Sequence, residues 1–276
     1  MGGQRERHGA AAKVMLTVTD STRKGYDMEY TFLEFVSDDQ IKSEAQNLIG
    51  QVMDILNDAT VGTTIKFRTD QYGKIVKYYN LKDIRKQAKE VLTKAISKMP
   101  YADSLRAVGL DMDKLMSMID SDDLVDGYTE EIELLFNYHG GQYKIGETES
   151  HEDATGNEYA SDTKTDIWLD PDTYEYGISA DVYSYIPRED IKALLGNLIE
   201  YFTDKESAKD VREGLDTEFD SQVTTDGVYN SYVRISYFND GWPQEVVSQD
   251  NISLGDRQKL KQKYITWDYR SVGHAE

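Results

Sequence analysis

From Tyr26 to Val36 the chain reads Tyr-Asp-Met-Glu-Tyr-Thr-Phe-Leu-Glu-Phe-Val, apolar at alternate positions and then apolar on both sides. A period of two puts successive side chains on opposite faces, so the stretch predicts a β-strand with one face on a core. Val14–Thr19, apolar at 14, 16 and 18, is its expected hairpin partner, across the turn Asp20–Gly25. The grammar recurs. Thr63–Arg68 and Lys74–Tyr79 flank Thr69-Asp-Gln-Tyr-Gly73, and Lys164–Leu169 and Tyr174–Ile186 flank Asp170-Pro-Asp-Thr173. Tyr229–Phe238 meets Asn239-Asp-Gly241 and returns through Glu245–Ser248. Further strands are expected at Glu131–Tyr138, Glu218–Thr224 and Tyr264–Tyr269.

Between these hairpins the period changes. Ser37-Asp-Asp-Gln40 matches a capping box before Ile41, Ala45, Leu48, Val52 and Ile55, which recur at helical spacing. Asn80 is placed to cap a helix with Leu81, Ile84, Ala88, Val91 and Ala95 on one stripe, ending before Pro100. Shorter helices are expected at Met112–Ile119 and Glu206–Gly214. A longer one runs from Arg188 to Phe202, burying Ile191, Leu194, Leu195, Leu198 and Ile199. The fold class is therefore α+β, with curved antiparallel sheets and amphipathic helices packed on one face.

Organisation follows from an internal echo. Ile41-Lys42 followed by Asn47-Leu48-Ile49 recurs as Ile191-Lys192 and Asn197-Leu198-Ile199, each copy between a strand and a hairpin. Duplication would give two similar halves with a shared sheet or groove between them. The expected divisions are a flexible leader over 1–12, a first half over 13–120, an acidic linker over 121–130, a second half over 131–269 and a tail over 270–276.

Composition excludes several function classes. With 51 acidic against 31 basic residues and a net charge of -20, the surface repels a phosphate backbone, so nucleic acid is not an expected partner. There is no cysteine, which removes thiol catalysis and iron–sulfur clusters. No apolar run reaches membrane-spanning length. The patterns GxSxG, GxxxxGK[ST], GxGxxG and HExxH do not occur. No cofactor and no catalytic residue is expected.

Two constellations remain. Asp122, Asp126, Glu130 and Glu133 fall at positions 1, 5, 9 and 12 of an EF-hand-like frame with Gly127 at position 6, the spacing of a calcium loop. Leu124 occupies position 3, where that loop needs an oxygen, so the competing reading is a solvated acidic linker. Asp170, Asp172 and Glu175 could also face a hard cation, against an ordinary turn in which Pro and Asp serve the backbone. Trp168, Tyr174 and Tyr176 flank one hairpin turn, and Tyr237 and Trp242 flank another. Aromatic rings near loop tips stack on sugars or apolar ligands, or else fill the core.

Tyr26–Val36, Gly62-Thr-Thr-Ile-Lys-Phe-Arg-Thr-Asp-Gln-Tyr-Gly-Lys-Ile-Val76, Tyr143-Lys-Ile-Gly-Glu147 and Val233-Arg-Ile-Ser-Tyr-Phe-Asn-Asp-Gly-Trp-Pro243 occur in an order that resembles a group of exported, often lipid-anchored envelope proteins of Gram-negative bacteria. Glu149-Ser-His departs from that pattern, where an aromatic residue is expected. The resemblance implies an extracytoplasmic protein, in the periplasm or at the outer membrane, without enzyme activity. A lipid anchor would lie on a cysteine beyond this sequence. The expected function is a non-catalytic module binding an unknown ligand or envelope protein. Its rivals are a carboxylate-based glycan hydrolase and a purely structural envelope protein.

Overall fold

The structure is a computed structural model and describes residues 9–37, 60–98, 123–156, 158–202, 212, 214, 217–255 and 257–271. The expected helices at 41–57 and 112–119, and most of 206–214, lie outside the described residues, and with them the first copy of the echo. The chain divides into two compact units, Met1–Gly140 and Gly141–Glu276.

The first unit holds a four-stranded antiparallel sheet in the order β1 (Ala10–Thr22), β2 (Gly25–Ser37), β3 (Thr64–Thr69), β4 (Ile75–Tyr78). β1 begins inside the expected leader, because Ala10, Ala11 and Ala12 pair with Ser37, Val36 and Phe35. Met28 and Tyr30 stand directly opposite Phe67 and Ile65, and all four are buried. On the other face Arg68 pairs with Asp27 at 2.6 Å and Lys66 with Glu29 at 2.9 Å. The Tyr79 hydroxyl donates to Asp27 at 2.7 Å. Apolar-in and charged-out alternation therefore holds along β2 and β3, as an antiparallel sheet with one wet face requires.

Helices α1 (Leu81–Lys98) and α2 (Asp123–Phe136) belong to this unit. Asn80 precedes α1 as expected, but its side chain serves β3 instead of capping the helix. Its Oδ1 accepts from the Lys66 N–H at 2.9 Å, and its Nδ2 donates to the Thr64 carbonyl at 2.8 Å. α2 corrects two expectations together: residues 123–130 are not a linker, and Glu131–Tyr138 is not a strand. Tyr128, Ile132, Leu135 and Phe136 are buried at spacings of four, three and one, which is a helical stripe. Ile132, Leu134, Phe136 and Tyr138 also alternate, so the strand reading was open in sequence; the two templates share positions 132 and 136. Phe136 packs on Phe67 with ring centroids 5.8 Å apart.

The second unit is a six-stranded sheet in the order β10-β9-β8-β7-β6-β5, every neighbouring pair antiparallel. Its strands are β5 (Gly146–Glu152), β6 (Ser161–Leu169), β7 (Tyr176–Ile186), β8 (Gly227–Tyr237), β9 (Pro243–Leu254) and β10 (Arg257–Thr266). β5 falls in a stretch expected to be loop; Gly-Glu-Thr-Glu-Ser-His-Glu has no apolar period, and every residue of it is exposed. β9 and β10 run longer than expected for the same reason, since their added residues are mostly polar and carry no clear apolar period. Glu218–Thr224 is not a strand: residues 217–222 are helical, with Phe219 and Val223 both buried and the Val223 N–H donating to the Phe219 carbonyl at 2.8 Å.

α3 (Arg188–Phe202) forms where expected, and the Arg188 Nε–H donates to the Val223 carbonyl at 2.6 Å. Leu194, expected in its core stripe, is 58% exposed. The expected tail begins later than 270, because the Arg270 guanidinium lies 4.3 Å over the Phe238 ring and pairs with Asp240.

Phe67 is fully buried between Tyr78 and Phe136, so Phe67→Ala removes ring contacts on two sides. The expected cost is about 3–5 kcal/mol, read as a shift in the urea midpoint. A loss below about 1 kcal/mol would contradict this account of the first core.

Candidate functional site

The registers of the second sheet fix which side chains share a face, because directly opposite residues on paired strands point the same way. One lateral row runs Ile167, Ile178, Ile235, Val246, Ile265 across β6 to β10. Ile178, Ile235 and Val246 in its centre are buried. Tyr176 and Tyr237 continue this face toward the turns, stacked with centroids 4.8 Å apart and planes 15° apart. Burial raises the Tyr176 phenol above its ordinary value, with the Asp240 charge adding to it.

The opposite face has another character. Its rows across all six strands are Glu147–Asp166–Ser179–Arg234–Val247–Tyr264, Glu149–Lys164–Asp181–Tyr232–Gln249–Gln262 and His151–Asp162–Tyr183–Asn230–Asn251–Leu260. Trp168–Gly177–Ser236–Glu245–Thr266 closes one end, and Tyr185 extends the other beyond Tyr183. Trp168 lies across Gly177 and leaves no room there for a Cβ. Tyr264 is 63% exposed, Tyr185 45% and Tyr183 41%, while Tyr232 is half-buried. Asn230 Nδ2 donates to Asp181 Oδ1 at 2.5 Å. The face therefore presents tyrosine rings, primary amides and carboxylates.

The five aromatic residues singled out in the sequence do not form one site. Trp168 belongs to the polar face, whereas Tyr176 and Tyr237 belong to the apolar one, and Tyr237 is 2% exposed. Leu169, and not Trp168, is the partner of Tyr176, and that one-residue offset sends the two rings to opposite faces. Tyr174 sits in the turn at a φ of 61° and is exposed. Trp242 is half-buried at the other turn, its carbonyl accepting from the Phe238 N–H at 2.9 Å. The tyrosines of the polar face, Tyr183, Tyr185, Tyr232 and Tyr264, escaped sequence reasoning because only register shows that they share a surface.

The candidate calcium loop is not a loop. Asp126, Glu130 and Glu133 fall on helix α2, whose regular backbone cannot wrap oxygens around one point, and Asp122 lies outside the described residues. Glu133 instead accepts from the Tyr78 hydroxyl at 3.3 Å. Among the described residues no group of three or more His, Asp or Glu side chains is placed to hold a metal ion. At the other candidate, Asp170 Oδ1 accepts from the Asp172 N–H at 2.8 Å and the Thr173 N–H at 3.3 Å. Those bonds fix the turn and hold the Asp170 carboxyl below its usual range.

One titratable cluster stands at the corner of the polar face. His151 Nδ1 lies 2.7 Å from Asp162 Oδ1, and Nε2 lies 3.3 Å from Asp153 Oδ1. The Tyr185 hydroxyl donates to the other oxygen of Asp162 at 3.0 Å. Carboxylates only accept, so both ring nitrogens donate and the geometry suits imidazolium. The hydrogen bonds to Asp162, then Asp153, hold the His151 pKa above its ordinary value, and His151, then Tyr185, holds Asp162 below its own. The two carboxylates meet different ring nitrogens, so the three groups do not converge on one cation. Neither nitrogen is left to serve as a base.

Compared with known proteins, the chain matches no family model, no curated protein and no solved structure.

A raised folded pKa means that the His151 contribution is complete below the unfolded value of about 6.5 and is lost as pH rises through the folded value. Glu149, Glu152, Lys164 and Tyr183 are its other charged or ionisable neighbours on β5, β6 and β7. Titration by NMR should give His151 a pKa above that of a free imidazole. Protection of β5 amides, corrected for intrinsic exchange, should fall through the same pH range and lose that dependence in His151→Gln. An unshifted titration would remove the two carboxylate bonds.

Proposed function

We propose that this protein is a non-catalytic, extracytoplasmic binding module whose ligand lies on the polar face of the six-stranded sheet. The observation that supports the reading is the composition of that face: solvent-reached tyrosines set among amides and carboxylates, on strands pinned by backbone ladders. A sheet holds such groups in fixed register, so a ligand meets them with little ordering cost.

Among the described residues, the carboxylates with a displaced pKa do not favour the hydrolase reading. A glycosidase needs one carboxyl pushed upward to act as acid, yet Asp162, Asp170 and Asp220 are all held below their usual range, Asp220 mainly by Lys192. The extracytoplasmic assignment rests on the resemblance to exported envelope proteins. Duplication is part of the same proposal, together with sheet curvature. Hairpin β1–β2 is followed by a long connection and hairpin β3–β4, and hairpin β6–β7 is followed by a long connection and hairpin β8–β9. That shared order extends the Ile-Lys and Asn-Leu-Ile echo.

The test is a combined glycan and peptide array probed with the protein and with Tyr183→Ala/Tyr232→Ala. Both side chains reach solvent, so the variant should keep its circular dichroism spectrum and melt within a few degrees of the parent. Signals present for the parent and absent for the variant are the expected result. Signals indifferent to the two rings would refute the assignment to this face.

A further inference from the structure

We propose that the ligand of the polar face is an extended glycan carrying protonated amines, an oligomer of amino sugars. This deepens the binding reading above and rests on it.

Tyr185 and Tyr183 on β7, Tyr232 on β8 and Tyr264 on β10 lie in successive rows of the same face. Strands stand about 4.8 Å apart and rows about 6.6 Å apart, so the four positions trace a diagonal of about 25 Å across the sheet. A track of that length suits a linear chain, not a compact metabolite. Tyrosine offers a flat ring face to the C–H side of a sugar and an electron-rich surface to a cation. Asn230, Gln249, Asn251 and Gln262 occupy positions alongside the track, on the same face. Primary amides both donate and accept, which matches hydroxyl groups that do the same.

Charge selects among glycans. Glu147, Glu149, Asp162, Asp166, Asp181 and Glu245 share the face with three cations, Lys164, Arg234 and the His151 imidazolium. Lys164 is paired with Glu147 at 3.4 Å, which leaves the excess negative. A chain of -20 net charge adds the same sign at longer range. Uronic acids, sulfated sugars and phosphates are repelled, whereas an ammonium on each sugar is attracted. A basic peptide shares the charge but gains its affinity from main-chain hydrogen bonds at a strand edge. The interior of this face offers side chains only, so flat rings fit it better than an extended peptide does.

The experiment is calorimetric titration of the full chain with three probes at mildly acidic pH: a glucosamine oligomer, its fully N-acetylated counterpart and oligolysine of equal charge. The glucosamine oligomer should bind at least about tenfold more tightly than either of the others. It should weaken as salt is added and be lost in Tyr183→Ala/Tyr232→Ala. Equal affinity for oligolysine would replace the glycan with a cationic peptide, and equal affinity for the N-acetylated chain would remove the role of charge. An array ligand of another class that still needs Tyr183 and Tyr232 would overturn this inference and leave the binding reading intact. Absence of any ligand dependent on those rings would remove both.

Discussion

The unbroken register between β7 and β8 is the constraint on which the second unit depends. From Tyr176 opposite Tyr237 to Ile186 opposite Gly227 the pairing runs without a bulge. Side chains alternate strictly along a strand, so one residue of slip of β8 against β7 would send Ile235 into water and Tyr232 into the core. Burial of Ile178, Ile235 and Val246 penalises that slip at several positions together. The bulge beside Tyr237, where Pro243 takes the opposing place, lies at the end of the β8–β9 ladder and leaves the interior rows intact. Placement of the polar face is thus a by-product of holding the apolar one.

The turn end shows how that register is secured. Trp168 covers Gly177 on one face while Tyr176 stacks on Tyr237 on the other, so aromatic rings brace both sides of the same strand ends. Trp267 Nε1 donates to the Pro243 carbonyl at 2.6 Å, and Arg270 clamps the Phe238–Trp242 turn through Phe238 and Asp240. All three tryptophans of the chain stand in this region of the second unit. Aromatic residues that suggest ligand stacking in sequence are here largely structural. Tyr174, 67% exposed in its turn, is the exception, and the exposed tyrosines of the polar face stand in the strands.

The two units solve the burial problem differently. In the first, β2 and β3 put apolar side chains inward and ion pairs outward, and α2 covers Phe67 through Phe136. In the second, the row next to Ile178–Ile235–Val246 mixes Ala180 and Val233 with Thr165, Ser248 and Lys263, and Ile252 stays 51% exposed. Backbone ladders over six strands carry the order there, with each hydrogen bond contributing about 1 kcal/mol net. A sheet stabilised by its backbone leaves its side chains available for contacts with other molecules.

Alternation in Tyr26–Val36 and Tyr229–Phe238, the glycines of the turns and the stripe of Leu81–Lys98 were enough to determine an antiparallel α+β chain. These are local signals, written within a few residues. β5 was not legible, because a strand built only of polar residues carries no hydrophobic period. α2 was ambiguous, because Ile132 and Phe136 satisfy both periods until Tyr128 and Leu135 are buried with them. The near-match to a calcium loop counted acidic residues along the chain and could not know that the backbone there is helical. Tertiary structure alone decided that Trp168 and Tyr176 part company while Tyr183, Tyr232 and Tyr264 meet. Pairing is a relation between distant segments, and a strand's own sequence says which side chains share a face with one another but not with those of its neighbours.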